Sequence, residues 1–443
     1  MSDTTEELII RTIDENRDRL VAFGRDIFTH AELGYKEHRT AGKFAEALRG
    51  LGLPAVEEGL AITGVKGYLR QPGTPGPTLA LIGELDALRI PEHPDVNPET
   101  QAAHACGHNS QLTGVVGAAL ALSVPEVAER LGGNLVFFAV PSEEYGEIAF
   151  KNQLAAEGKI KYGAGKAELI RVGAFDDIDL SVAHHSSGDG ISVGSHSSNG
   201  FVAKVIRLIG RESHAAAAAE KVVNALNAAS LGLTALAYQR ETFRDEDAVR
   251  VHPILTKGGN LVNVVPNEAV VETLVRAKTA EAVADAAFKV DRAFKAGADA
   301  VGAGYEITTR PGYLPRIGQA PDPDVLAAAR EAAPDAEVRE LDPTQHQASS
   351  SDVGDLQHIL PVLSFNTGGV AGGFHTKDFR YVDEEEAYIV TAKIFALSAY
   401  RLLRDGAAGA HRVVDGYTPV FTKQQYLDYL DANEKVETKE VEG

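Results

Sequence analysis

Residues 76–144 decide the fold, with GPTLALIGELDAL at 76–88, NSQLTGVVGAALALS at 109–123 and GGNLVFFAVPSEE at 132–144. The first and third stretches are short apolar runs that start at Gly or Pro and end in acidic residues. That is the pattern of strands buried on both faces. The middle stretch is rich in Ala and Leu and has the length of a buried helix. IDLSVAHHSS at 178–187 repeats the strand pattern and ends in histidines. Strand, helix and strand in alternation predict an α/β sheet, in which chemistry collects beyond the carboxyl ends of the strands. This chain places its acids and histidines there.

Upstream, Leu8, Ile9, Ile13, Leu20, Val21 and Phe28 recur near helical spacing, so the opening segment reads as helix. Downstream the texture changes near residue 200. FVAKVIRLIG alternates like a strand, and SHAAAAAEKVVNALNAASLGLTALAYQ predicts a long Ala-rich helix. AVRVHPILTKGGNLVNVVPNEAVVETLVRAK predicts two strands around a Gly-Gly-Asn turn, followed by a helix over TAEAVADAAFKVDRAFKAGADAV and a closing strand at YEITTR. The order β-α-β-β-α is that of a split βαβ unit. It predicts an inserted, ferredoxin-like domain at 200–310 within a discontinuous α/β domain of residues 1–199 and 311–443. The acidic last stretch, with its Tyr and Phe, reads as an extended tail.

The 443 residues carry 43 basic and 63 acidic side chains, a net charge of −20. That balance argues against a nucleic-acid binder, whose footprint is a basic patch. A single cysteine excludes an intrachain disulfide framework. The N-terminus is acidic where a signal peptide is basic, and no apolar run approaches the length of a membrane span. The expectation is a soluble cytoplasmic protein that acts on a small molecule and engages neither membrane nor nucleic acid.

The densest chemistry is His104-Ala105-Cys106-Gly107-His108-Asn109. A lone cysteine is more often a small buried hydrophobe than a ligand. Flanking histidines reverse that preference, because thiolate and imidazole both suit zinc and similar metals. No second Cys/His pair stands at finger spacing, so further ligands must come from elsewhere. Glu143-Glu144 follows a buried strand, and one carboxylate could bind metal while its neighbour acts as general base. His184-His185 closes another strand, and His375 lies in the Gly-rich GGVAGGFHT. A competing motif, Gly190-Ile191-Ser192-Val193-Gly194, matches the nucleophile elbow of serine hydrolases, which would make Ser192 a nucleophile. The helix that the elbow requires after it is missing from the sequence pattern.

HACGHN, the Glu-Glu pair, GRESHAA, GGNLVNVVPNEA and GGFHT stand in the order found in the M20 metallopeptidases, and the chain resembles their amidohydrolase branch, with aminoacylase-like and aminobenzoyl-glutamate hydrolase-like enzymes. The resemblance runs from about GELDAL to His375. It implies a zinc-peptidase-like catalytic domain with the 200–310 insertion as lid and dimerisation domain, hence a homodimer or higher homo-oligomer. It implies one or two divalent transition-metal ions (Zn, Mn or Co) on Cys106, His108, Glu144, His185 and His375, with His185 preferred over His184 because Asp179 precedes it by six residues. Glu143 would be the general base. Asp86 would orient a ligand, His104 would stand behind the metal site, His214 would reach toward a partner subunit's active site and stabilise an oxyanion, and Asn263 and Arg276 would hold a substrate carboxylate. The implied activity is hydrolysis of a C–N bond, either the amide of an N-acyl or aminobenzoyl amino acid or the amino group of a substituted aminobenzoate. The chain departs from the branch at Asn109, where many members have Asp, and in the long connection from Tyr145 to Asp177.

Overall fold

The computed structural model describes residues 4–217 and 219–442. The apolar runs at 76–88 and 132–144 form the neighbouring parallel strands Thr78–Glu84 and Asn134–Val140, and every residue of the second is buried. Between them in sequence runs the helix His108–Leu122, also buried at every position. Beyond Thr113 it is apolar on all sides, which places it inside a core. The helices Thr4–Glu15, Arg17–Thr29 and Thr391–Asp415 pack around it. The first two were expected as one helix. They part at Asn16, whose side-chain amide donates to the Thr12 carbonyl at 2.9 Å, a local bond that competes with helix continuation.

The chain divides into two compact units. One comprises residues up to His196, Ile317–Gln345 and Asp355–Thr422; the other comprises Ser197–Arg316, His346–Gly354 and the residues from Lys423 on. The first holds an eight-stranded mixed sheet in the order Ala55–Leu60, Gly64–Tyr68, Asn134–Val140, Thr78–Glu84, Leu180–Ser186, Val362–Thr367, Ser192–Val193, Arg339–Glu340. The four strands from Asn134–Val140 to Val362–Thr367 run parallel, so their carboxyl ends open on one side.

The second unit is an antiparallel sheet in the order Arg250–Val251, Glu268–Ala277, Gly200–Ile209, Gly304–Pro311, Lys435–Lys439, with Ile254–Lys257 also pairing on Glu268–Ala277. Alternate residues of Glu268–Ala277 are buried beneath the helices Ala225–Gln239 and Ala280–Asp299, the period-2 signature of a sheet covered on one face. Two expectations need correction. The Ala-rich helix starts at Ala225, not near 214, because the Asn224 side chain accepts from the N–H groups of Leu226 and Asn227 and caps it there. Residues 346–354 and 423–442, expected with the 311–443 segment, belong to the second unit. Lys435–Lys439 pairs with Tyr305–Thr309 and covers what would otherwise be an open sheet edge. Among the described residues no helix is long and apolar enough to cross a membrane.

Candidate metal centre

The site is built at the carboxyl ends of the parallel strands of the first unit. Gly107 turns the chain into the helix His108–Leu122 with φ of 85°, and a Cβ there would lie 2.2 Å from Ser186 Oγ. Only glycine fits, for both reasons. Ser110 Oγ bonds Gly107 O at 2.8 Å and Ser186 Oγ at 3.1 Å, which ties the turn to the end of the strand Leu180–Ser186. Successive strand residues face opposite ways. His185 therefore presents Nε2 to Cys106 Sγ at 3.3 Å, with Nδ1 held by Ser186 O at 2.7 Å. His184 turns into the core, where its Nε2 lies 2.7 Å from Thr367 Oγ1 and its ring packs on Phe365. Asp179 stands at the opposite end of this strand, accepting from Thr78 N–H at 2.8 Å.

Glu84 and Asp86 follow one another at positions i and i+2 where the strand Thr78–Glu84 ends. The Asp86 carbonyl oxygen takes His108 Nδ1 at 2.8 Å, which directs His108 Nε2 inward. The Asp86 carboxylate accepts the backbone N–H groups of Glu143 at 3.1 Å and Glu144 at 2.9 Å. The donor atoms of Cys106, His108 and Glu144 all lie within 4.8 Å of one another, as do those of Glu84, His108 and Glu143. His375, whose backbone N–H donates to Ala105 O at 2.9 Å, brings Nε2 to 3.1 Å from Glu144 Oε1. Cys106, His108, Glu144, His185 and His375 thus converge, with Glu143 beside them. The sequence reading missed Glu84. It is fully buried with Lys166, whose Nζ lies 2.6 Å from Glu84 Oε1, and Gln111 Nε2 donates to its other oxygen.

Charge in this cluster is finely opposed. Burial and Glu144 push the Cys106 thiol up, yet His185 and His108 outweigh them and bring its pKa down to about 6. Burial disfavours a charged His108, but Glu84 and Cys106 raise it well above the ordinary imidazole range. His375 is likewise raised, to about 11, by its bonds to Cys106 and Glu144 against burial. Glu144 is lowered: His375 and His108 overcome the cost of its burial. The protein gathers anionic donors and compensates them with imidazolium protons. A cation in the same place would displace those protons.

The model of peptidase family M20/M25/M40 matches residues 80–401, most of the chain. The chain belongs to this family. It is 29% identical over 311 residues to the Xaa-Arg dipeptidase of Mus musculus, covering 67% of this chain and 63% of that one. The chain thus spans a little under two thirds of that relative's length. It is 26% identical over 401 residues to the N-acetyl-L-cysteine deacetylase of Bacillus subtilis, covering 87% of this chain and 88% of that one. The fold is shared with a Bacillus subtilis dinuclear metal-binding peptidase of the M20 family, at a TM-score of 0.61 and 23% identity over 88% of this chain and 99% of that one. An aminobenzoyl-glutamate utilization protein from Klebsiella pneumoniae gives a TM-score of 0.63 at 19% identity over 88% and 96% of the two chains.

The M20 donor set suits a divalent transition metal. His108 Nε2 and Glu144 Oε1 are buried without a directed hydrogen bond, although each lies 3.1 Å from an oppositely charged group. Buried polar atoms left unpaired are costly, and a metal ion satisfies them. Mixed thiolate, imidazole and carboxylate donors match zinc and its neighbours. His104 is also buried with both ring nitrogens unpartnered, and its pKa falls to about 3 through burial first and the nearby His108 second.

The other residues singled out from the sequence stand on other elements. His214 and Asn263 are exposed in the second unit, on neighbouring segments joined by Ala215 N–H to Asn263 O at 3.0 Å. Arg276 is half-buried there with its guanidinium 5.7 Å from the Phe201 ring centroid, and burial lowers its pKa. Ser192 does not form a nucleophile elbow. It is buried in a short inner strand, and its Oγ accepts from Asn366 Nδ2 at 2.9 Å.

Proposed function

We propose that this M20 protein hydrolyses a C–N bond of a small carboxylate-bearing substrate, foremost the amide of an N-acyl or aminobenzoyl amino acid. The observation that carries this reading is the convergence of five donors on one spot with a second buried carboxylate, Glu143, next to the ligand Glu144. Cys106, His108, Glu144, His185 and His375 would hold one or two ions. A bound ion supplies Lewis acidity, polarising the substrate carbonyl and making water acidic enough to ionise near neutral pH.

The chain's own residues do the rest. Glu143 accepts a proton from the attacking water and returns it to the leaving nitrogen. Asp86 holds Glu143 and Glu144 by their backbone N–H groups and His108 by its neighbouring carbonyl, so that base and ligands stay in register. His214 would reach toward a partner subunit's site and donate to the developing oxyanion there, and Asn263 and Arg276 would receive the substrate carboxylate. Arg276 suits that task as a half-buried guanidinium that makes no ion pair among the described residues. Ile254, Leu255, Leu261 and Val262 of the second unit are each exposed, which suits burial against a second copy in a homodimer.

The direct test is a substrate screen. N-acyl amino acids, aminobenzoyl-glutamate and substituted aminobenzoates are offered to the chelated protein resupplied with Zn²⁺, Mn²⁺ or Co²⁺. Metal-dependent release of an amino acid from the acylated substrates is expected. Turnover that ignores chelation and stops with a serine-directed phosphonate would reject the proposal.

A further inference from the structure

Three successive backbone N–H groups, those of Ser142, Glu143 and Glu144, are held by two buried carboxylates. Asp86 takes the second and third. The first goes to Glu37 Oε1 at 2.8 Å, from a residue 105 positions away. Glu37 is fully buried, and its other oxygen accepts from Thr63 Oγ1 at 2.7 Å. It stands at the start of the helix His38–Gly50 but does not cap it, so its side chain does nothing for its own helix. It makes no ion pair among the described residues, and a buried carboxyl without a cation is expensive.

The bond to Glu37 falls where the backbone is strained. Ser142 has φ of 50°, a left-handed conformation that a side chain disfavours and that persists only when its surroundings impose it. Immediately after it, the two glutamates diverge: Glu143 groups with Glu84 and His108, and Glu144 with Cys106 and His108 and toward His375. The turn sets that divergence.

We infer that Glu37 is a positioning residue for the Glu143–Glu144 pair: by accepting the Ser142 N–H it locks the left-handed turn that separates general base from metal ligand. This rests on the roles proposed above for those two glutamates. Without Glu37, the Ser142 N–H has lost its acceptor and the turn relaxes. Asp86 still holds both following N–H groups, and His375 also holds the Glu144 carboxylate, so the ligand stays while Glu143, directly after the relaxed turn, loses its alignment.

The test uses full-length Glu37→Ala, Glu37→Gln, Glu37→Asp and Thr63→Val. It reads amide hydrogen exchange of peptides spanning residues 138–147 in metal-free and metal-loaded protein, together with metal content, kcat and KM. In Glu37→Ala the 142–144 amides should exchange faster, metal should be retained, and kcat should fall about tenfold or more with KM nearly unchanged. Glu37→Gln keeps an acceptor and should restore most of both signals. Thr63→Val breaks only the other contact and should leave both at wild-type values. If the alanine variant does not fold, Glu37→Asp decides, because its shorter side chain cannot reach Ser142 and should show the same loss. Unchanged exchange and kcat on shortening Glu37, or an equal loss in Thr63→Val, overturns the inference. If wild-type protein turns over none of the amide substrates, the functional proposal fails, while the exchange result still decides the part played by Glu37.

Discussion

Sγ of Cys106 lies 3.3 Å from Nε2 of His185, across the gap between the 106–108 turn and the end of the strand Leu180–Ser186. Two segments far apart in sequence thus meet through a thiol and an imidazole, and neighbouring histidines lower the thiol's pKa to about 6 against the cost of burial. Those histidines therefore favour the thiolate, which is the state a metal ligand requires. Cys106→Ser should lower metal content under limiting metal while moving the thermal midpoint little. Metal analysis beside a melting curve checks this. Equal metal content would return Cys106 to an ordinary buried thiol.

Gly107→Ala should be far more harmful than its size suggests. The left-handed backbone costs a residue with Cβ about 1–2 kcal/mol, and the added carbon would sit 2.2 Å from Ser186 Oγ. Relief requires the turn to leave the strand that bears His185, so metal affinity should fall together with stability. Metal titration of the folded variant reads the first effect and denaturant unfolding the second.

Lys166→Met should destabilise the fold by about 3–5 kcal/mol, the usual result of stripping one partner from a buried ion pair. Lys166 is fully buried 2.6 Å from Glu84, and first among the groups that overcome Glu84's burial to bring its pKa to about 2. The double variant Glu84→Gln/Lys166→Met should recover part of the loss, since the lysine–glutamate pair is then removed whole and only His108 loses a neighbouring carboxylate. Chemical unfolding of wild type, Lys166→Met, Glu84→Gln and the double variant measures the coupling.

Glu37 should give stability a pH dependence of unusual sign for a carboxylate. Burial, and after it the neighbouring Asp86, raise its pKa from 4.5 to about 8. Between those values the folded state binds more protons than the unfolded state, so this group's contribution falls as pH rises from 4.5 to about 8 and is level above that. Glu37→Gln mimics the protonated form. Its stability relative to wild type should therefore increase across that window, as read from denaturant midpoints at pH 5, 6.5 and 8.

Much of this was legible because the signals are local. Strands such as Asn134–Val140 are continuous apolar runs, and the donors sit where those runs end. GELDAL drew notice to Asp86 but not to Glu84, whose burial depends on Lys166, 82 residues away. Nothing near Glu37 marks it as buried either; its value comes from meeting Ser142. The start of the Ala-rich helix was missed because Ala composition outweighed the single cap at Asn224. KVETK at 435–439 has Val436 as its one apolar residue, too little for a strand signal, and becomes a strand because Tyr305–Thr309 offers it an edge. Gly190–Gly194 shows the converse, a motif that matches in letters while Ser192 stays buried in a sheet.

The central claim is that Glu143 moves protons and its neighbour Glu144 holds metal. The most direct measurement compares metal content and amide turnover in wild type, Glu143→Ala, Glu144→Ala and His108→Ala. Glu143→Ala should keep its metal and lose about 10²–10⁴-fold in kcat, while Glu144→Ala and His108→Ala should lose both metal and turnover. A Glu143→Ala protein that hydrolyses its substrate at the wild-type rate would contradict the mechanism outright.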